Sequence, residues 1–372
     1  MSMPHWLNDQ HTRIRASVRR FAESQIAPLS QQLREEETVP YEIWRQACKL
    51  GFAGLPYSPS YGGGGGQWLS FVIVLEELSR VDCALANSLM ANSTVASLLS
   101  NYGTHEQKER FLRPILDGRQ IGAIALCEPN AGSDTANIAT RARLDGDRWV
   151  IDGSKIFISN SGTEITGTAI LTVVTGMRAD GRKEISNIIF PNGTPGCTYG
   201  PKLRKIGRRA STTSELFFEN CHVPANHLLG ERGAGLQQML AQISTARILI
   251  GALALGILRG SLHRSLVHVK ARQAFERSIN EFQALQFKLA DMATHAHAAR
   301  LMLYDAAALK DAGASFNQQA SIAKLFATQG ALEAAHQAHQ ILGGYGIMGL
   351  RSRVPLAMPK CWTSKAHPRS SA

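Results

Sequence analysis

The chain has 372 residues, 44% of them hydrophobic and 19% charged, with 40 Lys and Arg against 29 Asp and Glu for a formal charge of +11. At about 150 residues per domain, this length predicts two or three domains, and the composition excludes a disordered, collagen-like or low-complexity protein. The longest stretch without a polar side chain, residues 248–258 between Arg247 and Arg259, falls short of the roughly 18 residues that read as a membrane span.

In chain order, apolar residues from Asn8 to about Gly118 recur at helical spacing, as at Val18, Phe21, Ile26 and Leu29, then Ile43, Trp44, Ala47 and Leu50. A helical first third is predicted. Residues 56–66 contain five consecutive glycines and read as a flexible surface loop. Near Ile121 the pattern changes to short β-rich segments at 149–152, 156–159 and 169–174, split by Asp-Gly, Ser-Gly and Asn-Gly turns, which predicts a small β domain. Helical periodicity returns from Gly233 through 236–309 and 318–342, with breakers at Asp311-Ala-Gly and Gly343-Gly-Tyr-Gly. The expected architecture is mainly α with a central β domain: 1–120 helical, 121–231 β, 232–348 helical, and 349–372 an atypical tail. From Leu350 onward there are three prolines, five basic residues and no acidic one.

Six cysteines, at 48, 83, 127, 197, 221 and 361, form no Cys-x-x-Cys pair, which fits reduced thiols rather than a disulfide or zinc framework. Redox chemistry would then need a bound cofactor. The N-terminus lacks the apolar stretch of a secretory signal, so a cytoplasmic address is expected.

Three segments carry candidate chemistry. In Ala125-Leu-Cys-Glu-Pro-Asn-Ala-Gly-Ser-Asp134, Gly132 and Ser133 place backbone N–H groups at a turn that can receive an anionic or carbonyl oxygen, although an Asx-type turn explains the same residues. In Ser154-Lys-Ile-Phe-Ile-Ser-Asn, Phe157 and Ser159 fall on one face of a strand, able to hold a flat ring and donate to its edge; Phe157 is equally readable as core. In Lys270-Ala-Arg-Gln-Ala-Phe275, Arg272 stands where a helix ends or bends, free to take a phosphate bidentately or to remain solvated. Glu333, His336 and His339 have a spacing that can bind metal, but without matching carboxylates elsewhere no metal site is expected. The basic run Lys202, Arg204, Lys205, Arg208 and Arg209 lacks the interleaved aromatics of a nucleic-acid patch and reads as a solvated or ligand-facing loop.

Together and in this order, these pieces resemble the acyl-CoA dehydrogenase family from about residue 8 to Met348. The match includes Leu75-Glu-Glu-Leu-Ser-Arg, Glu128-Pro-Asn-Ala-Gly-Ser-Asp, Lys155-Ile-Phe-Ile-Ser-Asn, Phe218-Glu-Asn-Cys-His-Val-Pro, Arg272-Gln-Ala-Phe and Gln340-Ile-Leu-Gly-Gly-Tyr-Gly. The resemblance implies a barrel-like middle domain between helical domains, and FAD held at Ile124, Leu126, Cys127, Gly132, Ser133, Phe157, Ile158 and Ser159. It further implies that Arg272, Phe275, Phe282, Gln283, Gln340, Gly343 and Gly344 hold the rest of FAD across a subunit interface, in a homo-oligomer, usually a tetramer. Ser133 and Arg247 match positions near a thioester on CoA or an acyl-carrier protein, with an electron-transfer flavoprotein as acceptor and no nucleic-acid partner.

Three departures stand out against this pattern. Cys127 replaces the family's usual Thr or Ser donor to the flavin, and a thiol donates more weakly, so a shifted flavin potential, or a backbone N–H taking over, is expected. Glu276 replaces the usual glycine after Arg-x-x-Phe. The family's catalytic glutamate is missing from both of its usual places: Ala246 precedes Arg247, and no Asp or Glu follows Glu333. Codon degeneracy, however, allows residues 357–372, read one base earlier, to encode Arg-Asp-Ala-Lys-Val-Leu-Asp-Ile-Glu-Gly-Thr-Ser-Glu-Val-Gln-Arg, which resembles the family's C-terminal signature. A reading-frame change between about Met348 and Ala357 is therefore expected. Two functional readings follow: a dehydrogenase forming the 2-enoyl thioester, whose true chain carries the glutamate, or an inactive or decayed flavoprotein homologue lacking it, retained if at all as an interaction subunit.

Overall fold

The computed structural model describes residues 7–38 and 40–348; the expected frame change and its signature lie outside the described residues. The first helix, α1 (Asp9–Phe21), starts at Asn8, whose side chain accepts the His11 N–H while His11 Nδ1 accepts the Asn8 N–H, a reciprocal cap. It runs into a π-turn at Ala22–Ile26. Then follow α2 (Ser30–Glu36), α3 (Tyr41–Lys49), α4 (Trp68–Val81), α5 (Cys83–Tyr102), α6 (His105–Gln107) and α7 (Arg113–Leu116).

The glycine run before α4 is not the flexible loop expected. The N–H groups of Gly64, Gly65 and Gly66 donate to the carbonyls of Gly54, Tyr57 and Leu55 at 2.9, 2.8 and 2.7 Å. A Cβ at Gly63 would collide with the Tyr57 carbonyl. Glycine is required there for close backbone approach, not for mobility.

The middle of the chain forms one seven-stranded sheet from β1 (Ile121–Ala125), β2 (Arg141–Asp145), β3 (Arg148–Ser159), β4 (Thr166–Met177), β5 (Lys183–Pro191), β6 (Cys197–Tyr199) and β7 (Thr213–Pro224). Its order is β1-β4-β2-β3-β7-β6, with β5 also pairing with β4. Antiparallel pairs dominate, but β1 runs parallel to β4. Trp149, Ile151, Leu171, Val173, Phe190 and Phe218 form the apolar interior.

The C-terminal helices are α8 (Gly235–Ala271), α9 (Gln283–Asp311), α10 (Asn317–Leu342) and α11 (Gly344–Ile347). By length and composition α8 is apolar enough to cross a membrane, yet its apolar middle, 248–258, is almost wholly buried in the helical core. Gly256 and Gly260 let it lie against α4, since a Cβ at either would strike Ser79 or the Arg80 carbonyl. The helical period read through 236–309 is interrupted: residues 272–282 leave the helix and form a small hairpin, β8 (Gln273–Ala274) and β9 (Arg277–Ser278). Its tip residues Phe275 and Glu276 have φ of 54° and 63°, the left-handed pair that a tight two-residue turn requires. With no glycine at the tip, the usual turn signal is absent.

A buried ionic cluster binds the first helices to the last. Glu76 and Glu77, neighbours on α4, are both fully buried. Glu76 accepts from Arg259 and Arg300 at 2.7 Å each and from the Tyr304 hydroxyl. Glu77 accepts from Arg15 at 2.8 Å, Arg19 at 3.1 Å and Arg259 at 2.7 Å. Burial alone would raise both carboxyls, but Arg259 and the other arginines outweigh it, lowering Glu76 and holding Glu77 at about 2.

Candidate active site

The expected flavin-side residues come together at one end of β1 and β3. Ile124 is the penultimate residue of β1, and Leu126, Cys127, Gly132 and Ser133 lie on the segment that leaves it. That segment folds into a tight turn in which Glu128 and Ala131 exchange N–H···O bonds of 2.9 and 3.1 Å. Beside it, β3 carries a bulge between Lys155 and Ile158. The bulge puts Phe157 at φ 61° and leaves its ring 66% exposed, while Ile158 is buried and Ser159 half-buried. A large aromatic held exposed in a sparsely populated conformation is strain of the kind that clusters at ligand clamps.

The turn and the bulge are bonded directly. The Ile156 N–H donates to the Cys127 carbonyl at 2.9 Å, and Lys155 Nζ reaches the Leu126 carbonyl at 3.1 Å and Glu128 Oε1 at 2.8 Å. Burial pushes the Cys127 thiol up, against a smaller opposing pull from Lys155, so it stands as a neutral thiol near pH 7. Lys155 and Glu128 were quoted above only as parts of motifs, without a role. The available signal was a lysine at an inward position of a strand.

The second expected set sits on the C-terminal helices. Arg272 is the extended residue just past α8, and Phe282 the one just before α9, which opens with Gln283. Phe275, at the hairpin tip, is 87% exposed, and its ring lies edge-on to Phe282 at 6.1 Å. Gln340 is in the last turn of α10, and Gly343 (φ 57°) and Gly344 join α10 to α11. Arg247, midway along α8, is half-buried and has no carboxylate partner among the described residues. Ala246 beside it offers no carboxylate.

Most of the basic run at 202–209 is bonded within the protein. Lys202 donates to the Glu37 carbonyl, Arg209 pairs with the Glu37 carboxylate at 2.5 Å, Arg208 donates to Asn87, and Lys205 donates to the Ser211 carbonyl and, at 2.8 Å, to Thr213. Lys202, Arg208 and Arg209 thereby hold the loop against the first helical domain, and Lys205 bonds within the middle domain. The histidine spacing on α10 is likewise occupied locally, with His339 Nδ1 at 2.7 Å from the Ala335 carbonyl and Glu333 accepting from Gln337 at 2.6 Å.

The chain thus combines a helical–β–helical order with an exposed aromatic beside a tight turn. Family models described as the N-terminal, middle and C-terminal domains of acyl-CoA dehydrogenase match residues 8–119, 123–221 and 233–361. The chain belongs to the acyl-CoA dehydrogenase family. It is 40% identical over 335 residues to the short-chain specific acyl-CoA dehydrogenase of Clostridium acetobutylicum, covering 90% of this chain and 87% of the relative. It is 38% identical to the mitochondrial short-chain specific enzyme of Bos taurus, covering 91% and 82%. Among solved structures, butyryl-CoA dehydrogenase from Megasphaera elsdenii superposes with a TM-score of 0.89 at 34% identity, covering 95% and 94% of the two chains. A chain of the structure of the electron transferring flavoprotein of Acidaminococcus fermentans superposes with a TM-score of 0.91 at 36% identity, covering 99% and 100%. These relatives carry enzyme names, and none of the comparisons favours a retained, inactive subunit. The protein is an oxidoreductase of the acyl-CoA dehydrogenase type.

Proposed function

We propose that the protein binds FAD and oxidises a short acyl-CoA thioester to its 2,3-enoyl form, passing electrons to an electron-transfer flavoprotein. The observation that carries this reading is the Cys127 turn bonded to the Phe157 bulge, which leaves an exposed aromatic face beside the half-buried Ser159 and the backbone donors of the turn. These residues fit a flavin: Phe157 would shield one side of the ring, Ser159 would reach its edge, and the segment 124–133 would line the other edge. The exposed Phe275 ring and the uncapped Arg272 would take the adenine and pyrophosphate of FAD bound mainly by a partner copy, which makes the working form an oligomer, with four copies the family's usual number. Bound FAD supplies the hydride acceptor.

The chain's own residues do the rest. Ser133 and Arg247 would hold the thioester, whose carbonyl must be polarised before its α proton can leave. Backbone N–H and hydroxyl donors fixed before reaction stabilise the charge that develops, at no reorganisation cost. The α proton needs a carboxylate, and neither family location offers one among the described residues; the glutamate of the restored reading would supply it. The test is purification with FAD at one per subunit and enoyl-CoA formation from butyryl-CoA when an electron-transfer flavoprotein is supplied. A protein that carries no flavin would overturn the reading.

A further inference from the structure

We propose that Lys155, held by Glu128, is a positioning residue for the flavin: it turns the peptide between Leu126 and Cys127 so that the Cys127 N–H is the donor offered to the ring. This rests on the FAD reading above. Lys155 is fully buried, where a cation is costly unless paired. Its Nζ is committed to Glu128 Oε1 at 2.8 Å and to the Leu126 carbonyl at 3.1 Å. Glu128 is itself fixed, accepting the Ala139 and Thr140 N–H groups at 2.6 and 3.0 Å. The next carbonyl, that of Cys127, is taken by the Ile156 N–H at 2.9 Å.

Two successive carbonyls are thus drawn towards β3. In a trans peptide the N–H lies opposite the C=O, so holding the Leu126 carbonyl on Lys155 directs the Cys127 N–H the other way. Among the described residues no acceptor takes that N–H. The Cys127 thiol is a poor donor, so this backbone group carries the work a side-chain hydroxyl would otherwise share.

The test uses the full-length, FAD-loaded protein and the variants Lys155→Met and Glu128→Gln. The readouts are the midpoint potential of the bound flavin and the dissociation constant of FAD, with circular dichroism as a check on folding. Lys155→Met should weaken the preference for reduced over oxidised flavin about tenfold, which lowers the midpoint by about 30 mV for a two-electron couple. Glu128→Gln should shift it in the same direction, and it decides the question by the same reading if Lys155→Met does not fold. A folded, FAD-loaded variant with the unaltered potential overturns this inference alone. A parent protein that retains no FAD overturns the FAD reading, and this inference with it.

Discussion

At the residue scale, Cys127 is where this chain departs most informatively from its family. Its thiol is half-buried and neutral, and its backbone carbonyl is engaged by Ile156. Restoring a hydroxyl by Cys127→Ser adds a stronger donor to whatever accepts at that edge. Flavin potentiometry should therefore find the Cys127→Ser midpoint about 30 mV higher, a tenfold gain in preference for the reduced form; an unchanged midpoint would show that the side chain faces away from the ring. At the other expected end of FAD, Arg272→Ala removes a charge-assisted hydrogen bond, which is typically about 1.5–3 kcal/mol, so titration with FAD should show at least tenfold weaker binding. The candidate residues of both sets came from the family resemblance, with local signals at the Gly132-Ser133 turn, the Phe157 and Ser159 pair and the helix end at Arg272. Lys155 was not legible in the sequence, because nothing in its neighbours announces that an ammonium on an otherwise ordinary strand is enclosed and paired with Glu128 across 27 positions.

At the element scale, the helices followed from apolar spacing, and α8 buries the apolar stretch read from the sequence. The hairpin between α8 and α9 was hidden because its tip is Phe275-Glu276, whose left-handed backbone normally calls for glycine or asparagine. Glu276→Gly should relieve part of that strain and stabilise the protein by about 1 kcal/mol in denaturant titration; a destabilised variant would mean that the glutamate side chain is itself engaged. The ionic cluster on α4 was also hidden, since Glu76 and Glu77 look like the polar face of a helix until α1, α8 and α9 close over them. Glu77 is held at about 2 against an ordinary value of 4.5. A depressed carboxyl contributes stability that is complete above its unfolded value and is lost as pH falls towards its folded one. Melting temperature should therefore drop steeply between about pH 4.5 and 2. Glu77→Gln removes the buried carboxylate shared by Arg15, Arg19 and Arg259 and should cost about 3 kcal/mol at neutral pH, while flattening that acid limb. An unchanged pH profile in this variant would contradict the assignment.

At the scale of the whole molecule, the charge of +11 divides unevenly. Five of the 40 basic residues fall after Leu350 with no acidic partner, leaving 35 against 29 in the part that matches the family's fold. Among those 35 cations, Arg15, Arg19, Arg80, Arg259 and Arg300 pair with Glu76 or Glu77 and Arg209 with Glu37. Fold and family were legible because ordered motifs run through three domains. The base was not, because neither family location carries a carboxylate in this sequence; a change of reading frame after about Met348 is the source proposed for it. Sequencing the nucleotides across codons 345–372 should find that a single-base shift restores Glu-Gly-Thr-Ser; an intact frame without it would remove the source of the glutamate. The most direct measurement is anaerobic titration with butyryl-CoA of the protein purified from its own gene, following the visible absorbance of the flavin. A yellow protein that bleaches is the expected result. A yellow protein that stays yellow with butyryl-CoA and other short acyl-CoA thioesters would contradict the assignment as a working dehydrogenase.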